Sequence, residues 1–108
     1  MSEKPAVVRM WRGIIRTEDR DRYSRYVEET GIDAYRSTPG NRGAEILLRD
    51  LGDGRTEIVT VSRWDSLESI RAFAGDDVGV AVFYPEDDEF LLERDLTVTH
   101  FTEWTHPG

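Results

Sequence analysis

The chain has 108 residues, which is enough for one domain. It contains no cysteine, so disulfides, zinc–thiolate sites, iron–sulfur clusters and thiol nucleophiles are excluded. Asp and Glu outnumber Lys and Arg by 22 to 14, which gives a formal net charge of −8. Because phosphate binding requires a basic surface, we expect no nucleic-acid partner.

The chain start, MSEKPAVVRMW, lacks the charged and then apolar pattern of a signal segment. No apolar run has the length of a membrane span, and no linker or repeat interrupts the sequence. These features predict a single cytoplasmic domain over residues 1–108 with no membrane partner.

The first predicted element is a strand over Val7–Arg16, with apolar side chains on both of its faces. Side chains alternate along a strand, so one face carries Val7, Trp11 and Ile15, and the other carries Val8, Met10 and Ile14. The alternation predicts burial from both sides.

A helix is predicted next, with Thr17 as its N-cap, Tyr23 and Val27 at helical spacing, and Gly31 at its end. Residues 32–42 are expected to be irregular. Two strands, 43–51 and 55–64, then flank Gly52-Asp53-Gly54, a sequence typical of a tight hairpin.

The second helix is predicted to begin at the cap Asp65, with Glu68 completing a capping box, and to end at Gly75. A further helical stretch is expected from Asp76 to residue 84, before Pro85. The acidic segment 86–94 contains apolar residues that must dock in part, and a final strand is predicted over 95–104.

The order β-α-β-β-α-β predicts an α+β, ferredoxin-like domain with a four-stranded antiparallel sheet. Strand 1 should lie between strands 3 and 4, and the helices should cover one face. The apolar residues on the other face then need a cover, so we expect a homodimer whose sheets face each other.

The chain resembles the antibiotic biosynthesis monooxygenase family of dimeric α/β barrels over nearly its whole length. The resemblance is carried by Arg9-Met-Trp11-Arg-Gly13, Trp64-Asp-Ser66, Ala72-Phe73-Ala-Gly75, Tyr84-Pro-Glu-Asp-Asp88 and Val98-Thr-His100. It implies a pocket between the sheet and its own helices. It also implies oxidation of an aromatic or polyketide-like substrate by O2 without metal or flavin, which requires a dry cavity, a proton acceptor and donors for the anion.

The haem-degrading branch of the same superfamily is a poorer match. That branch uses an Asn on strand 1, a Trp on the second helix and a haem-ligating His just beyond it. Our alignment places Trp11, Phe73 and Phe83 at these positions, so haem degradation ranks below aromatic oxidation.

Four residues are candidates for the chemistry: His100, Trp11, Arg9 and Tyr84. If strands 1 and 4 are neighbours, Trp11 and His100 should face each other, and His100 is either a proton acceptor or a structural histidine bonded to Asp87 or Asp88. Arg9 should meet an anion, either on the acidic segment or on a ligand.

The candidates for substrate binding are Trp64, Phe73, Tyr23 and Phe83. The tryptophans could stack on a flat substrate or belong to the core, and the tyrosines could donate to the substrate or simply pack. The acidic residues 86–89 are expected to form a solvated loop rather than a metal site. No cofactor is expected, and a non-oxidative cyclase or binding protein on the same scaffold is the alternative function.

Overall fold

The computed structural model describes residues 5–104. Its strands are β1 (Val7–Arg16), β2 (Asn41–Gly52), β3 (Arg55–Trp64), β4 (Leu91–Arg94) and β5 (Thr99–Thr102). Its α-helices are α1 (Arg20–Val27), α2 (Asp33–Ser37), α3 (Leu67–Ala74) and α4 (Asp87–Phe90). The predicted α+β class and ferredoxin-like order are confirmed, and β1 and β3 have the predicted bounds.

The sheet is antiparallel, and β1 lies at its centre as predicted. The order is β2-β3-β1, and both β4 and β5 pair with the remaining edge of β1. The predicted single last strand over 95–104 is wrong, because the chain leaves the sheet between β4 and β5. At the break, the indole Nε1 of Trp11 donates to the Asp95 carbonyl over 2.8 Å, so this carbonyl bonds to a side chain.

The first helical region is longer than predicted. A 3₁₀ turn (Thr17–Asp19), α1, a π-helical turn (Glu28–Ile32) and α2 follow one another without interruption. The predicted end at Gly31 is wrong, because burial of Ile32 and Tyr35 against the core keeps the backbone helical beyond the glycine. Thr17 is not an N-cap; its hydroxyl bonds to that of Thr56 over 2.8 Å.

The predicted hairpin joins β2 and β3. Asp53 and Gly54 both have positive φ angles, 53° and 75°, as a two-residue turn of this kind requires. β2 begins two residues before the predicted strand and ends one residue after it, and the pairing with β3 is irregular at both of these ends.

Helix α3 begins one residue later than its predicted cap implies. The hydroxyl of Ser66, not the carboxylate of Asp65, accepts the N–H of Ser69 over 3.2 Å. The Asp65 carboxylate instead accepts a hydrogen bond from Arg42 Nε, near the start of β2, over 2.6 Å. The predicted capping box is therefore wrong, whereas the end of α3 before Gly75, with φ 84°, is as predicted.

Residues 75–86 form an extended loop, and the helix predicted there is absent. Val80 makes an isolated antiparallel bridge with Thr97, and two backbone hydrogen bonds, Ala81 N to Leu96 O and Val98 N to Gly79 O, fasten the loop to the 95–98 segment. The acidic segment docks as predicted: it forms α4 and β4, with Phe90 buried in the core.

The two faces of the sheet differ in cover. The helix side of β1 and β3 carries buried side chains, including Ile15, Ile58 and Trp64. The opposite face, which we call the open face, carries Val8, Met10, Ile14, Leu47, Val59, Val61 and Phe101. No helix among residues 5–104 is long and apolar enough to cross a membrane.

Candidate active site

A pocket lies between the helix side of the sheet, the first helical region and the 75–86 loop. Its empty space is about 450 Å³, including the part at its mouth that is open to solvent. Six aromatic side chains border it: Trp11, Tyr23, Tyr35, Phe73, Phe83 and Tyr84. A pocket with these walls suits a flat, apolar ligand.

Trp11 is held in this wall from two sides. Its Nε1 donates to Asp95 O, and its ring meets the Phe83 ring edge-on, with centroids 6.1 Å apart. Gly13, two residues along β1, leaves the necessary room. A Cβ at position 13 would lie 2.8 Å from Trp11 Cη2 and 2.8 Å from Leu91 Cδ2.

Arg9 borders the same pocket and is only 1% exposed. Its Nη1 donates to Val78 O over 2.6 Å, and its Nη2 donates to Val80 O over 3.3 Å. The guanidinium carbon lies 5.9 Å from the centre of the Phe73 ring. Arg9 therefore anchors the 75–86 loop to the central strand.

No carboxylate in residues 5–104 pairs with Arg9, and its Nε has no hydrogen-bond partner there. The sequence interpretation that paired Arg9 with Asp87, Asp88 or Glu89 is wrong, because Asp87 bonds within its own segment and to Tyr23, and Asp88 pairs with Arg94. Within the described residues, Arg9 is therefore a buried cation that contacts neutral acceptors and no carboxylate.

His100 lies opposite Arg9 in the pairing of β1 with β5, two residues away from the predicted position opposite Trp11. The break in the last strand causes this difference. Arg9 Nη1 donates to His100 Nε2 over 3.3 Å, so the predicted structural partner, Asp87 or Asp88, is also wrong. Burial, and secondarily the charge of Arg9, lower the pKa of His100 below its ordinary value.

An arginine donates only, so the lone pair on His100 Nε2 is engaged and the ring carries its proton on Nδ1. His100 does not border the pocket itself. The histidine thus stands behind Arg9 and helps to orient it.

Asp87 forms a second polar feature of the pocket. Its carboxylate is buried and accepts from the Tyr23 hydroxyl over 2.9 Å and from the Tyr84 backbone N–H over 2.7 Å. Burial and the charge of Asp87 raise the pKa of Tyr23, so this hydroxyl keeps its proton. Burial, followed by the neighbouring Tyr35, also raises the pKa of Tyr84.

Of the eight predicted site residues, six border the pocket: Arg9, Trp11, Tyr23, Phe73, Phe83 and Tyr84. The other two, His100 and Trp64, do not. Trp64 is completely buried; its Nε1 donates to Ser62 Oγ over 2.8 Å, and its ring packs behind Tyr35 and Phe73.

Sequence reasoning missed Tyr35, Thr30, Thr60 and the place of Asp87 in the pocket. Tyr35 continues the helical spacing of Val27 and Gly31. A helix predicted to end at Gly31 does not include Tyr35. Asp87 was assigned to a solvated loop because its charged neighbours, which are exposed, dominate the local pattern.

Among the described residues, the lining of the pocket includes no His or Cys that could ligate haem iron. Residues 5–104 also hold no group of three His, Cys, Asp or Glu side chains placed to bind a metal.

Two solved structures are similar to this chain over nearly its whole length. One is a Bacillus cereus protein provisionally named as an antibiotic biosynthesis monooxygenase, with a TM-score of 0.67 and 12% identity, covering 96% of this chain and 98% of that one. The other is Rv0793 from Mycobacterium tuberculosis, with a TM-score of 0.59 and 21% identity, covering 95% and 99%.

Comparison with protein-family models gives no match, and neither does comparison with curated protein sequences. The two structures nevertheless establish the fold. The chain has the fold of these two proteins, one of which is named after the family that its sequence motifs resemble. The predicted architecture of the single chain is therefore confirmed.

Proposed function

We propose that this protein is a monooxygenase that oxidises an aromatic small molecule with O2 and uses no bound cofactor. The observation that carries the proposal is the buried guanidinium of Arg9, which borders an aromatic pocket and has no carboxylate partner among residues 5–104. The name of the Bacillus cereus neighbour gives independent support for the reaction class.

The charge of Arg9 favours an anionic ligand. Burial of a cation is costly unless an anion or hydrogen bonds compensate for it, and among residues 5–104 Arg9 has hydrogen-bond acceptors but no carboxylate. A phenolate or enolate oxygen of a ligand in the pocket would be attracted by the guanidinium charge that borders it. Arg9 would therefore stabilise the substrate in its deprotonated form.

The aromatic walls would orient such a ligand. Trp11, Phe73 and Phe83 offer ring faces and edges to a planar molecule, and contacts between aromatic rings add to the energy of simple burial. A bound ligand would displace water from the pocket, which strengthens the electrostatic effect of Arg9.

The proposed reaction begins with loss of a proton from the substrate. The anion passes one electron to O2, and the resulting substrate radical and superoxide combine. The peroxide takes up a proton and then loses water, leaving a quinone that retains one oxygen atom of O2. In this scheme Arg9 stabilises the anion, while Trp11 and Tyr84 confine the reacting molecules.

We propose in addition that the working form is a homodimer joined through the open face. Leu47 and Phe101 on this face are about half exposed in the single chain, at 49% and 50%. Three charged groups of the face are already paired, because Glu57 accepts from Arg12 and from Arg49. A second copy could therefore cover these three groups without leaving Glu57 unpaired.

Oxygen uptake by the chelator-treated protein tests the proposed reaction. With anthrone as substrate, the wild type should consume O2 well above the rate of uncatalysed autoxidation. Arg9→Met should reduce the catalysed rate by about 100-fold, the usual effect of removing one donor to a developing oxyanion. Arg71→Met, which alters an exposed arginine of α3, should leave the rate unchanged.

A wild-type rate equal to that of autoxidation with every electron-rich phenol and anthrone tried would refute the reaction. Equal rates for wild type and Arg9→Met, with both proteins folded by circular dichroism, would remove Arg9 from it.

A second candidate function is binding or cyclisation of an aromatic anion without oxidation. It is favoured by the position of His100, the residue first considered as proton acceptor, which lies outside the pocket with Nε2 already bonded. This function predicts quenching of tryptophan fluorescence by aromatic anions with no O2 uptake.

A further inference from the structure

Asp87 is a buried carboxylate that borders the pocket, six of whose lining residues are aromatic. It is only 5% exposed, and it is the one carboxylate among the described residues that border this space. The proposed reaction needs a group that removes a proton from the substrate, and neither Arg9 nor the protonated Tyr23 can do so.

The partners of Asp87 leave it able to accept another hydrogen bond. Each of its two oxygens accepts one bond, from the Tyr23 hydroxyl and from the Tyr84 N–H. An ionised carboxylate offers about four acceptor positions, so about two remain. No Arg or Lys in the described part of the chain pairs with Asp87, so no cation competes with a ligand for them.

Asp87 is also better placed than His100. The acceptor atom of the histidine is occupied by Arg9, and the ring lies behind the pocket wall. Asp87 borders the pocket, and the neutral donors Tyr23 and Tyr84 fix its carboxylate in position. Arg9 and Asp87 both border the pocket and form no ion pair with each other, so neither charge neutralises the other.

We propose that Asp87 is the proton acceptor of this pocket, an inference that rests on the proposed function. A ligand hydroxyl placed at Asp87 gives its proton to a carboxylate oxygen. The O–H bond of the ligand breaks, its electron pair remains on the ligand oxygen, and an O–H bond forms on Asp87. The combined charge of Asp87 and the ligand stays at −1. The new substrate anion is the species that reacts with O2.

The substrate class follows from this arrangement. Asp87 requires a hydrogen-bond donor, the walls require a flat ring system, and Arg9 favours an oxygen that carries negative charge. The pocket therefore selects hydroxylated aromatic molecules over their O-methyl ethers, because an ether has no proton to offer Asp87.

The first test uses substrates of graded acidity with Asp87→Asn. For weakly acidic phenols the variant should lose about 100-fold in kcat/KM, the usual contribution of a general base. For phenols already ionised at the assay pH the loss should shrink to about fivefold or less, because no proton has to be removed. Asp88→Asn, which alters the exposed neighbour paired with Arg94, should match wild type throughout.

An equal loss for all substrates would show a structural role and overturn the proposal. If Asp87→Asn does not fold, a binding measurement on wild type decides. Under argon, fluorescence titration should show about tenfold tighter binding of a neutral phenol than of its methyl ether, as one hydrogen bond to a charged group provides.

Equal binding of phenol and ether would overturn the role of Asp87 whether or not oxidation occurs. Tighter phenol binding without any O2 uptake would instead refute the proposed function and leave Asp87 as the residue that selects hydroxylated ligands. The two failures can therefore be told apart.

Discussion

Arg9 joins parts of the chain that are far apart in the sequence. Its guanidinium bonds to carbonyl groups of Val78 and Val80 and to the ring of His100. A side chain with several donors and a permanent charge suits this role, because it can hold the loop and still attract an anion. His100, in turn, supplies one of its acceptors.

The hydrogen bond from Arg9 requires a neutral His100. The folded structure lowers the pKa of this histidine from its ordinary value of 6.5, through burial and then the nearby charge of Arg9. Its contribution to stability is therefore complete above pH 6.5 and declines as the pH falls through that value, because the unfolded chain takes up the proton more readily.

We expect His100→Gln to weaken this acid sensitivity. The Gln side-chain oxygen can still accept from Arg9 but does not titrate. Between about pH 7.5 and pH 5.5, the urea midpoint should fall less in the variant than in the wild type. Parallel declines in the two proteins would contradict the assignment. Full turnover in His100→Gln would also exclude His100 as the proton acceptor.

At the scale of elements, the strands were easier to predict than the helices. β1 and β3 have the predicted bounds because alternation and turn residues are local properties of the sequence. The continuation of helix beyond Gly31 depends on burial of Ile32 and Tyr35, which no local pattern around the glycine reveals. The preference of glycine for helix ends is therefore outweighed here by the packing of Ile32 and Tyr35.

The site was predictable in its composition but not in its contacts. The motif residues Arg9, Trp11 and Phe73 were expected in the pocket and border it. The partners of Arg9 could not be foreseen, since they are backbone carbonyls about 70 residues away in a loop that was predicted to be helical. In a helix these carbonyls would have bonded within the element.

The start of helix α3 gives a test that separates two neighbouring caps. Ser66→Ala should lower the free energy of unfolding by about 1 kcal/mol, because the Ser69 N–H loses its acceptor. Asp65→Ala should cost less, because it breaks only an exposed ion pair. Urea denaturation of both variants checks the order, and a greater loss for Asp65→Ala would restore the cap predicted from the sequence.

At the scale of the whole molecule, the two sides of the sheet have different roles. The helix side encloses the pocket, and the open face presents apolar groups that a monomer rarely leaves uncovered. Charged groups on that face also pair with each other: a hydrogen bond from Arg12 holds the pKa of Glu57 below its ordinary value. The open face is therefore suited to contact with an identical face.

Two leucine substitutions test the dimer. Leu47 on the open face and Leu67 on α3 are similarly exposed in the single chain, at 49% and 42%. Light scattering at micromolar concentration should report about twice the 12.4 kDa chain mass for wild type and for Leu67→Glu. Leu47→Glu should give monomers, because it would bury charges at the interface. A wild-type mass of one chain would refute the dimer.

The bare backbone at Gly13 has a consequence for how the substrate range could change. A methyl group there would displace both the Trp11 indole and Leu91, although no ligand needs to touch position 13 itself. Trp11 borders the pocket, so a shift of its indole would change the space that a ligand can occupy. One substitution at position 13 could therefore change the range of ligand shapes that the pocket admits, without altering Arg9 or Asp87.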